Sequence, residues 1–425
     1  MRTTALRLYG ANDVRLETFS LPDIGDDEIL VKVISDSICM SSYKAIHQGA
    51  AHKRVPDDIR DNPPALGHEF CAQVVEVGRR RRGMIEPGQL VALQPALRET
   101  YDAAGYSFPY LGGCMTYGII PSIYIEQGNV LPYDGDACFH ASLAEPLSCV
   151  VGAVHACYHT RHGEYYHDMD IRRGGKVAVL AGAGPMGLAL IDYLIHRDRK
   201  PSLIVVTDTD ADRLARAARL LTTEDAAAND VALAYVNPSE HNSVGGMDGV
   251  CAYLRGISGG TGFDEAFVFA PVAEVAEQAD AILARDGCMN FFAGPADAAF
   301  SARLNYYNVH YNATHVVGTS GGNTDDMREA LELAAKGRVN PALLVTHIGG
   351  LPAAREATLN LPNIPGGKKL IYTHTDIPLT AISEFGIKGE TDPLFAELSR
   401  FCPNGLWTTE AERHLLANAP KGDIE

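Results

Sequence analysis

The apolar positions of this chain change period along its length. Over roughly the first third they fall in short runs of branched aliphatics closed by turn residues. Residues 28–34 form one run. Residues 73–77 form another, closed by Gly78, and the Pro87-Gly88 turn leads into residues 90–93. Each reads as a strand. The middle alternates buried strand runs with helical apolar spacing. Strands are expected at 176–181, 203–207, 263–269, 288–292 and 315–317, and helices at 185–197 and 211–221. That alternation predicts a parallel sheet covered by helices on both faces. The polar stretch 161–175 reads as a linker or surface loop. One helix, 325–336, and shorter strands follow, while the tail after Thr375 carries no strong signal.

The length of 425 residues exceeds one ordinary domain and suits two. At 46% hydrophobic and 21% charged, the composition is globular. The net charge of -17 repels nucleic acid and anionic membranes, so neither is expected as a partner. No run of apolar residues is long enough to span a bilayer. The N-terminal residues run into a strand-like segment without an apolar signal core, so a cytoplasmic protein is expected. Nine scattered cysteines fit thiols or metal ligands rather than a disulfide frame. The four arginines at 79–82 read as a solvated turn.

Gly182-Ala183-Gly184-Pro185-Met186-Gly187 follows an apolar strand and opens a helix. In that context the glycines permit a tight turn, close approach of a pyrophosphate, and packing of helix on strand. The helix N-terminus offers free amides to the phosphates. Asp208 ends the next strand, where an acid accepts ribose hydroxyls and favours NAD over NADP. Arg213 lies close enough in sequence to leave NADP open. Thr319, in the loop after the last parallel strand, is a candidate contact to nicotinamide or ribose.

Upstream stand three pieces of a metal site. Cys39 follows a strand, His68-Glu69 follow Gly67, and Glu145 heads a helix. Taken singly, each residue type is usually structural. Together, a thiolate, an imidazole and one or two carboxylates form a tetrahedral zinc site that leaves one position open. A zinc-bound alcohol loses its proton easily and can then expel hydride.

The order Cys39, Gly67-His68-Glu69, Val75-Glu76-Val77-Gly78, Glu145-Pro146-Leu147 and the glycine motif resembles the zinc-containing medium-chain alcohol/polyol dehydrogenases. Segments 7–10, 53–56, 94–97, 143–149 and 196–202 are similar to the L-sorbose-1-phosphate reductase branch. The resemblance implies a zinc-dependent, NAD(P)-linked enzyme acting on a sugar or polyol phosphate. It implies Cys39, His68 and Glu69 as metal ligands, Glu145 at the metal or its water, and Ser41 as proton carrier. Three departures stand out. Residues 90–120 hold only Cys114, so one catalytic zinc and no structural zinc is expected. Ser42 stands where an Asp is common, and Lys44 where a relay His is common. Lys44 is thereby a candidate in the relay or toward an anionic substrate.

Lys44, His47, His52, Lys53 and Arg54 gather within eleven residues. Lys44, His47, Lys53 and Arg54 are the candidates for a substrate phosphate, with Arg303, Lys368 and Lys369 as lesser ones. Tyr110, Tyr306 and Tyr307 are candidate pocket residues.

The expected architecture is α/β. A GroES-like β-rich catalytic domain is built from residues 1–158 and 323–425, and a doubly wound Rossmann domain spans 159–322. Substrate is expected in the cleft between them, and a homo-oligomer is expected. The alternatives are a dehydrogenase of a non-phosphorylated polyol or secondary alcohol, a catalytically retired nucleotide-binding protein, and a zinc-free reductase of the same fold.

Overall fold

A computed structural model describes residues 1–161, 163–241, 246–295 and 297–421. It divides into two compact units. One holds Met1–Glu145, Ala330–Lys336 and Leu344–Glu425, and the other holds Pro146–Glu329 and Gly337–Leu343.

The first unit is built on an eight-stranded mixed sheet. Its main path runs Thr380–Ala381, Val345–Gly350, Lys368–Tyr372, Ile29–Ser37, Phe70–Val77, Leu90–Leu93 and Val130–Tyr133, and Tyr117–Ile120 pairs with Ile29–Ser37. Early and late segments of the sequence thus share one sheet: Leu370 to Tyr372 pair antiparallel with Ser37 to Ser35. Val31, Val33, Phe70, Ala72 and Val91 are buried in its main core. Strands Arg2–Gly10 and Asp13–Ser20 form a separate hairpin. The weakly patterned tail is ordered around Trp407 and Phe385, both almost fully buried.

The second unit is a six-stranded parallel sheet. Its order is Ala232–Val236, Leu203–Thr207, Lys176–Leu180, Phe263–Val268, Leu283–Phe291 and His315–Gly318. This is a doubly wound order that reverses between Lys176–Leu180 and Phe263–Val268. Strand residues 177–180 and 204–206 are completely buried, as continuous apolar runs covered on both faces require.

Several details depart from the sequence reading. The polar stretch 161–175 is no free linker. His167–Met169 pairs with Tyr158–Thr160, and Arg172 ion-pairs with Asp264 and Asp286; His162 lies outside the described residues, as do 422–425 of the tail. The first unit ends at Glu145, earlier than the expected break at 158. The reason is that helix Ala144–Ala156 packs with the parallel sheet: Asn290 Nδ2 donates to Ala153 O at 2.8 Å. Residues 337–343 also return to the second unit, where the Asn340 amide donates to Asp192 at 2.6 Å. The arginines at 79–82 do form the expected exposed turn, with Arg79, Arg80 and Arg81 paired to Asp26, Asp27 and Glu126. Among the described residues no helix is long and apolar enough to cross a membrane.

Candidate active site

Cys39 sits where strand Ile29–Ser37 gives way to helix Met40–Gln48, in extended backbone at the helix N-cap. His68 and Glu69 precede strand Phe70–Val77, which pairs antiparallel with Ile29–Ser37, so the sheet register brings the two segments together. Asp36 fixes the approach. It is fully buried, its Oδ1 accepts from the Glu69 amide at 3.1 Å, and its Oδ2 accepts from Cys114 Sγ at 3.1 Å. Gly67 between them has φ +89°, and a Cβ there would lie 2.5 Å from Asp36 Oδ2 and from the Cys114 amide. Only glycine fits that turn.

One ligand atom from each of Cys39, His68 and Glu69 lies within 4.8 Å of the others. Among the described residues this is the one such group of three or more. Ser41 Oγ donates to Cys39 Sγ at 2.9 Å and stands 3.3 Å from His68 Nε2. Ser42 Oγ lies 3.4 Å from the other ring nitrogen, Nδ1. The hydroxyl at 42 therefore reaches the imidazole where a carboxylate is common, and holds it with a neutral partner. Glu69 is gripped from behind. Lys368 Nζ donates to both carboxylate oxygens, at 2.5 and 2.7 Å, and Ser37 Oγ donates to Oε2.

The site concentrates acid groups in a poor solvent for charge. Burial pushes the Cys39 thiol up, with Lys368 and Ser41 pulling it back. Burial and then Glu69 lift the Glu145 carboxyl to about 7. Cys39 and Glu145 keep one edge open to solvent although both lie deep among protein atoms. Burial lifts the Asp36 carboxyl to about 7. Although burial opposes it, Glu69, Cys39 and Glu145 hold Lys368 above the ordinary lysine range.

These residues fit a zinc ion. The thiol, imidazole and carboxylate donors are the types zinc takes. His68 Nδ1 has its own partner in Ser42, the usual arrangement for a metal-ligating imidazole. Burial disfavours the charged forms of Cys39 and Glu145, and a bound divalent ion would favour them.

The basic loop lies beside this cluster. Tyr106 is buried, its hydroxyl 3.4 Å from His68 Nε2. His52 stacks on its ring, with centroids 5.5 Å apart, and Arg54 Cζ is 5.7 Å from the ring centroid. Lys44 and Lys53 are near enough to lower the His52 pKa, after burial and Arg54. Among the described residues Lys53 and Arg54 form no ion pair with an acid. His47 instead packs on Tyr43 and is exposed. The lesser candidates are otherwise engaged. Lys368 grips Glu69, and Lys369 Nζ donates to the carbonyls of Ile364, Pro365 and Gly367. Arg303 pairs with Glu277 in the other unit, on an exposed surface. Tyr110 packs against Phe19, and Tyr306 and Tyr307 project from the surface of the second unit.

In the second unit the glycine motif follows strand Lys176–Leu180 at the sheet's switch point, with Pro185 and Met186 opening helix Pro185–His196. A Cβ at Gly187 would lie 1.9 Å from Gly182 O, so helix packing demands glycine there. The left-handed residue of the turn is Ala181, φ +53°, not Gly182. Gly182 is needed because a Cβ would meet Val179 at 2.3 Å. At Gly184 a Cβ would meet nothing within 4 Å. Protein packing does not require that glycine, but a phosphate resting on the backbone would, and the loop fits a dinucleotide. Asp208 is buried. Its Oδ2 accepts from the Ala183 amide at 3.2 Å and its Oδ1 from the Asp210 amide at 3.1 Å. Arg213 is half spent on Asp210, at 3.4 Å. Thr319 lines a cavity of about 500 Å³ with Gly152, His155 and Asn323, and its hydroxyl is buried without a hydrogen-bond partner among the described residues.

Sequence reasoning missed Asp36, Ser37 and Tyr106, and it assigned Lys368 to a phosphate. No spacing rule joins Tyr106 to His68, because a long loop brings them together.

The chain matches the family of alcohol dehydrogenase GroES-like domains over residues 25–126. It is 50% identical over 418 residues to mannitol-1-phosphate 5-dehydrogenase of Aliivibrio fischeri, covering 98% of this chain and 97% of that one. It is 47% identical over 420 residues to L-sorbose 1-phosphate reductase of Klebsiella pneumoniae, covering 98% of each. In fold it is similar to 2R,3R-butanediol dehydrogenase from Bacillus subtilis, with a TM-score of 0.69 and 21% identity over 87% of this chain and 99% of that one.

Proposed function

The chain belongs to the zinc-containing medium-chain polyol dehydrogenase superfamily, and from that premise we propose that it interconverts a ketose phosphate and a polyol phosphate using zinc and a nicotinamide cofactor. The observation that carries the reading is one recess with two characters. A buried Cys39-His68-Glu69 cluster adjoins, across the Tyr106 ring, a basic loop whose Lys53 and Arg54 have no acid partner among the described residues. The first character suits an alcohol oxygen, and the second suits a phosphate.

Cys39, His68 and Glu69 would hold the single catalytic ion, with Glu145 beside it or its water. Cys114, spent on Asp36, supports the absence of a structural zinc. Bound zinc supplies a Lewis acid for the substrate oxygen, and the nicotinamide supplies or accepts hydride. The chain's own part is positioning and proton handling. Ser42 holds the His68 ring, and Lys368 and Ser37 hold Glu69. Ser41 Oγ takes the substrate's hydroxyl proton as it passes its own outward, and Lys44, three residues on along the same helix, turns to the anionic substrate. Burial pushes the Tyr106 phenol well above its ordinary pKa, so Tyr106 keeps its proton and can donate to the substrate. Arg54 and His52, with Lys44 and Lys53, bind the phosphate.

Gly182, Gly184, Pro185, Met186 and Gly187 cradle the pyrophosphate. Asp208 takes the ribose hydroxyls and favours NAD, with NADP second because Arg213 is partly committed to Asp210. The unpartnered Thr319 hydroxyl meets the nicotinamide half. A homo-oligomer is supported by the edge strand His315–Gly318, paired on one side only among the described residues, with exposed Val316, Tyr306, Tyr307 and Tyr311 near it in the same unit. A cytoplasmic location agrees with nine free cysteines.

The test is a cofactor-linked absorbance assay on zinc-loaded protein. L-Sorbose 1-phosphate, mannitol 1-phosphate and their unphosphorylated parents are compared with NADH/NAD and NADPH/NADP, in the native protein and in Arg54→Ala. Turnover is expected on phosphorylated substrates, with KM raised at least tenfold by Arg54→Ala. Equal turnover of free polyols, unaffected by that substitution, would make the enzyme a plain polyol dehydrogenase.

A further inference from the structure

The tail after Thr375 takes no part in the chemistry above, yet one of its side chains reaches toward the active site. Glu412 lies on helix Thr409–Asn418 and is 2% exposed. Its Oε2 accepts from the Cys138 amide at 2.7 Å, and its Oε1 from the Phe139 amide at 2.8 Å. These are amides of the first turn of the short helix Cys138–Ser142. Such amides have no partner within their own helix. Tyr372 Oη also donates to Glu412 Oε1 at 2.7 Å, and Trp407 Nε1 donates to Tyr372 Oη at 2.8 Å. The far end of the same helix is fastened too. Ser142 Oγ lies 2.6 Å from Ser35 Oγ and donates to Ser35 O at 3.0 Å, on the strand that leads to Cys39. Leu143 and Ala144 follow, both fully buried, and then Glu145.

We propose that Glu412 is a positioning residue for Glu145. The tail helix clamps the N-terminus of helix Cys138–Ser142 and thereby sets where the Glu145 carboxyl stands relative to Cys39 and His68. The strand Lys368–Tyr372 serves both acids of the site. Its first residue grips Glu69 and its last anchors Glu412. The two carboxylates are thus held from one strand, one directly and one through the tail. The inference rests on the reading of Glu145 as a member of the zinc site.

The test is a double-mutant cycle with a matched control on the full-length holoenzyme. Glu412→Gln keeps the volume but turns an amide donor toward a backbone N–H, leaving a buried clash of donors. Thr408→Ala removes the cap of the same tail helix, where Thr408 Oγ1 accepts from the Ala411 amide at 3.1 Å, and leaves the clamp intact. L-Sorbose 1-phosphate with NADH reports kcat and KM, zinc release to a chelator reports the metal site, and a melting curve reports stability. Glu412→Gln is expected to lower kcat about tenfold and to speed zinc release, with the NADH KM unchanged. Thr408→Ala is expected to lower the melting temperature to a similar degree and leave kcat and zinc release alone. In a Glu145→Gln background, Glu412→Gln should cost little more. A loss that simply multiplies with that of Glu145→Gln, or one that Thr408→Ala reproduces, overturns the proposal and leaves Glu145 in place. A Glu145→Gln variant with native kcat and native zinc release overturns the reading of Glu145 itself, and the proposal with it.

Discussion

Lys368→Met probes the centre of the site without replacing a proposed metal ligand. The ammonium lies 2.7 Å from Glu69 Oε2 and 2.5 Å from Oε1, with side-chain exposures of 12% and 1% for the pair. At that separation, and with an effective dielectric near 20, the gross attraction is about 6 kcal/mol. Desolvation takes back part of this, and removing one partner of a buried pair costs about 3–5 kcal/mol because the other charge is stranded. Methionine nearly preserves length and packing, so the loss in metal-free protein is electrostatic and should be about 3 kcal/mol. For a unit of this size that is a fall of roughly 6–12 °C in melting temperature. Zinc supplies positive charge at the same place, so zinc-loaded Lys368→Met should lose well under half as much. Dye-monitored melting of native and variant protein, with and without zinc, measures both numbers. A metal-free loss below about 1 kcal/mol, or equal losses in the two states, would refute the claim that Lys368 and the metal share the task of neutralising Glu69.

Cys39→Ser should leave the protein without bound zinc by elemental analysis and without detectable turnover, while NADH fluorescence titration stays within about twofold of native; an active variant would remove Cys39 from the metal site. Asp208→Ala should weaken NADH by roughly 10–100-fold, the worth of a charge-assisted hydrogen bond or two, and narrow the gap to NADPH; unchanged NADH affinity would mean that the carboxylate serves only the Ala183 and Asp210 amides. Burial lifts Glu412 to about 7 from 4.5, with Tyr372, Cys138, Cys71, Tyr133 and Arg413 facing it. A raised carboxyl binds its proton more tightly when folded, so its contribution is present below about pH 4.5 and is lost as pH rises through 7, by up to roughly 3 kcal/mol; Glu412→Gln should flatten the melting temperature over that window relative to native, and parallel curves would exclude this titration.

Local signals were legible and long-range ones were not. The glycine motif announces itself because strand, turn and helix are contiguous, and Asp208 because the next strand ends on it. Cys39, His68, Glu69 and Glu145 stand out as a set although only the sheet register brings the first three together. The strand Ala232–Val236 went unseen because Ala-Leu-Ala-Tyr-Val carries little β-branched signal, and it takes its place only by pairing with Leu203–Thr207. Tyr106 and Lys368 gave no clue because nothing in their neighbourhoods marks the atoms they meet across 38 and 299 positions. The tail was opaque for the same reason: Glu412 is an ordinary helix surface acid until Tyr372 and the Cys138 and Phe139 amides close on it.

The overall charge of -17 bears on specificity differently from how it bears on partners. Surface charges farther off than about 8–10 Å are screened at ordinary ionic strength, so a phosphate at the recess responds to its immediate neighbours. Elsewhere in the same unit the arginine run at 79–81 is neutralised by Asp26, Asp27 and Glu126. Around Tyr106 the half-buried Arg54 and its neighbour Lys53 form no such pair among the described residues, and both His52 and Arg54 lie against the Tyr106 ring. The metal cluster has no means of telling a phosphorylated polyol from a free one, since its donors meet only the reacting oxygen. On the proposed reading discrimination therefore resides in Lys53 and Arg54, and changes there should alter which substrate is used while leaving zinc affinity and hydride transfer as they are.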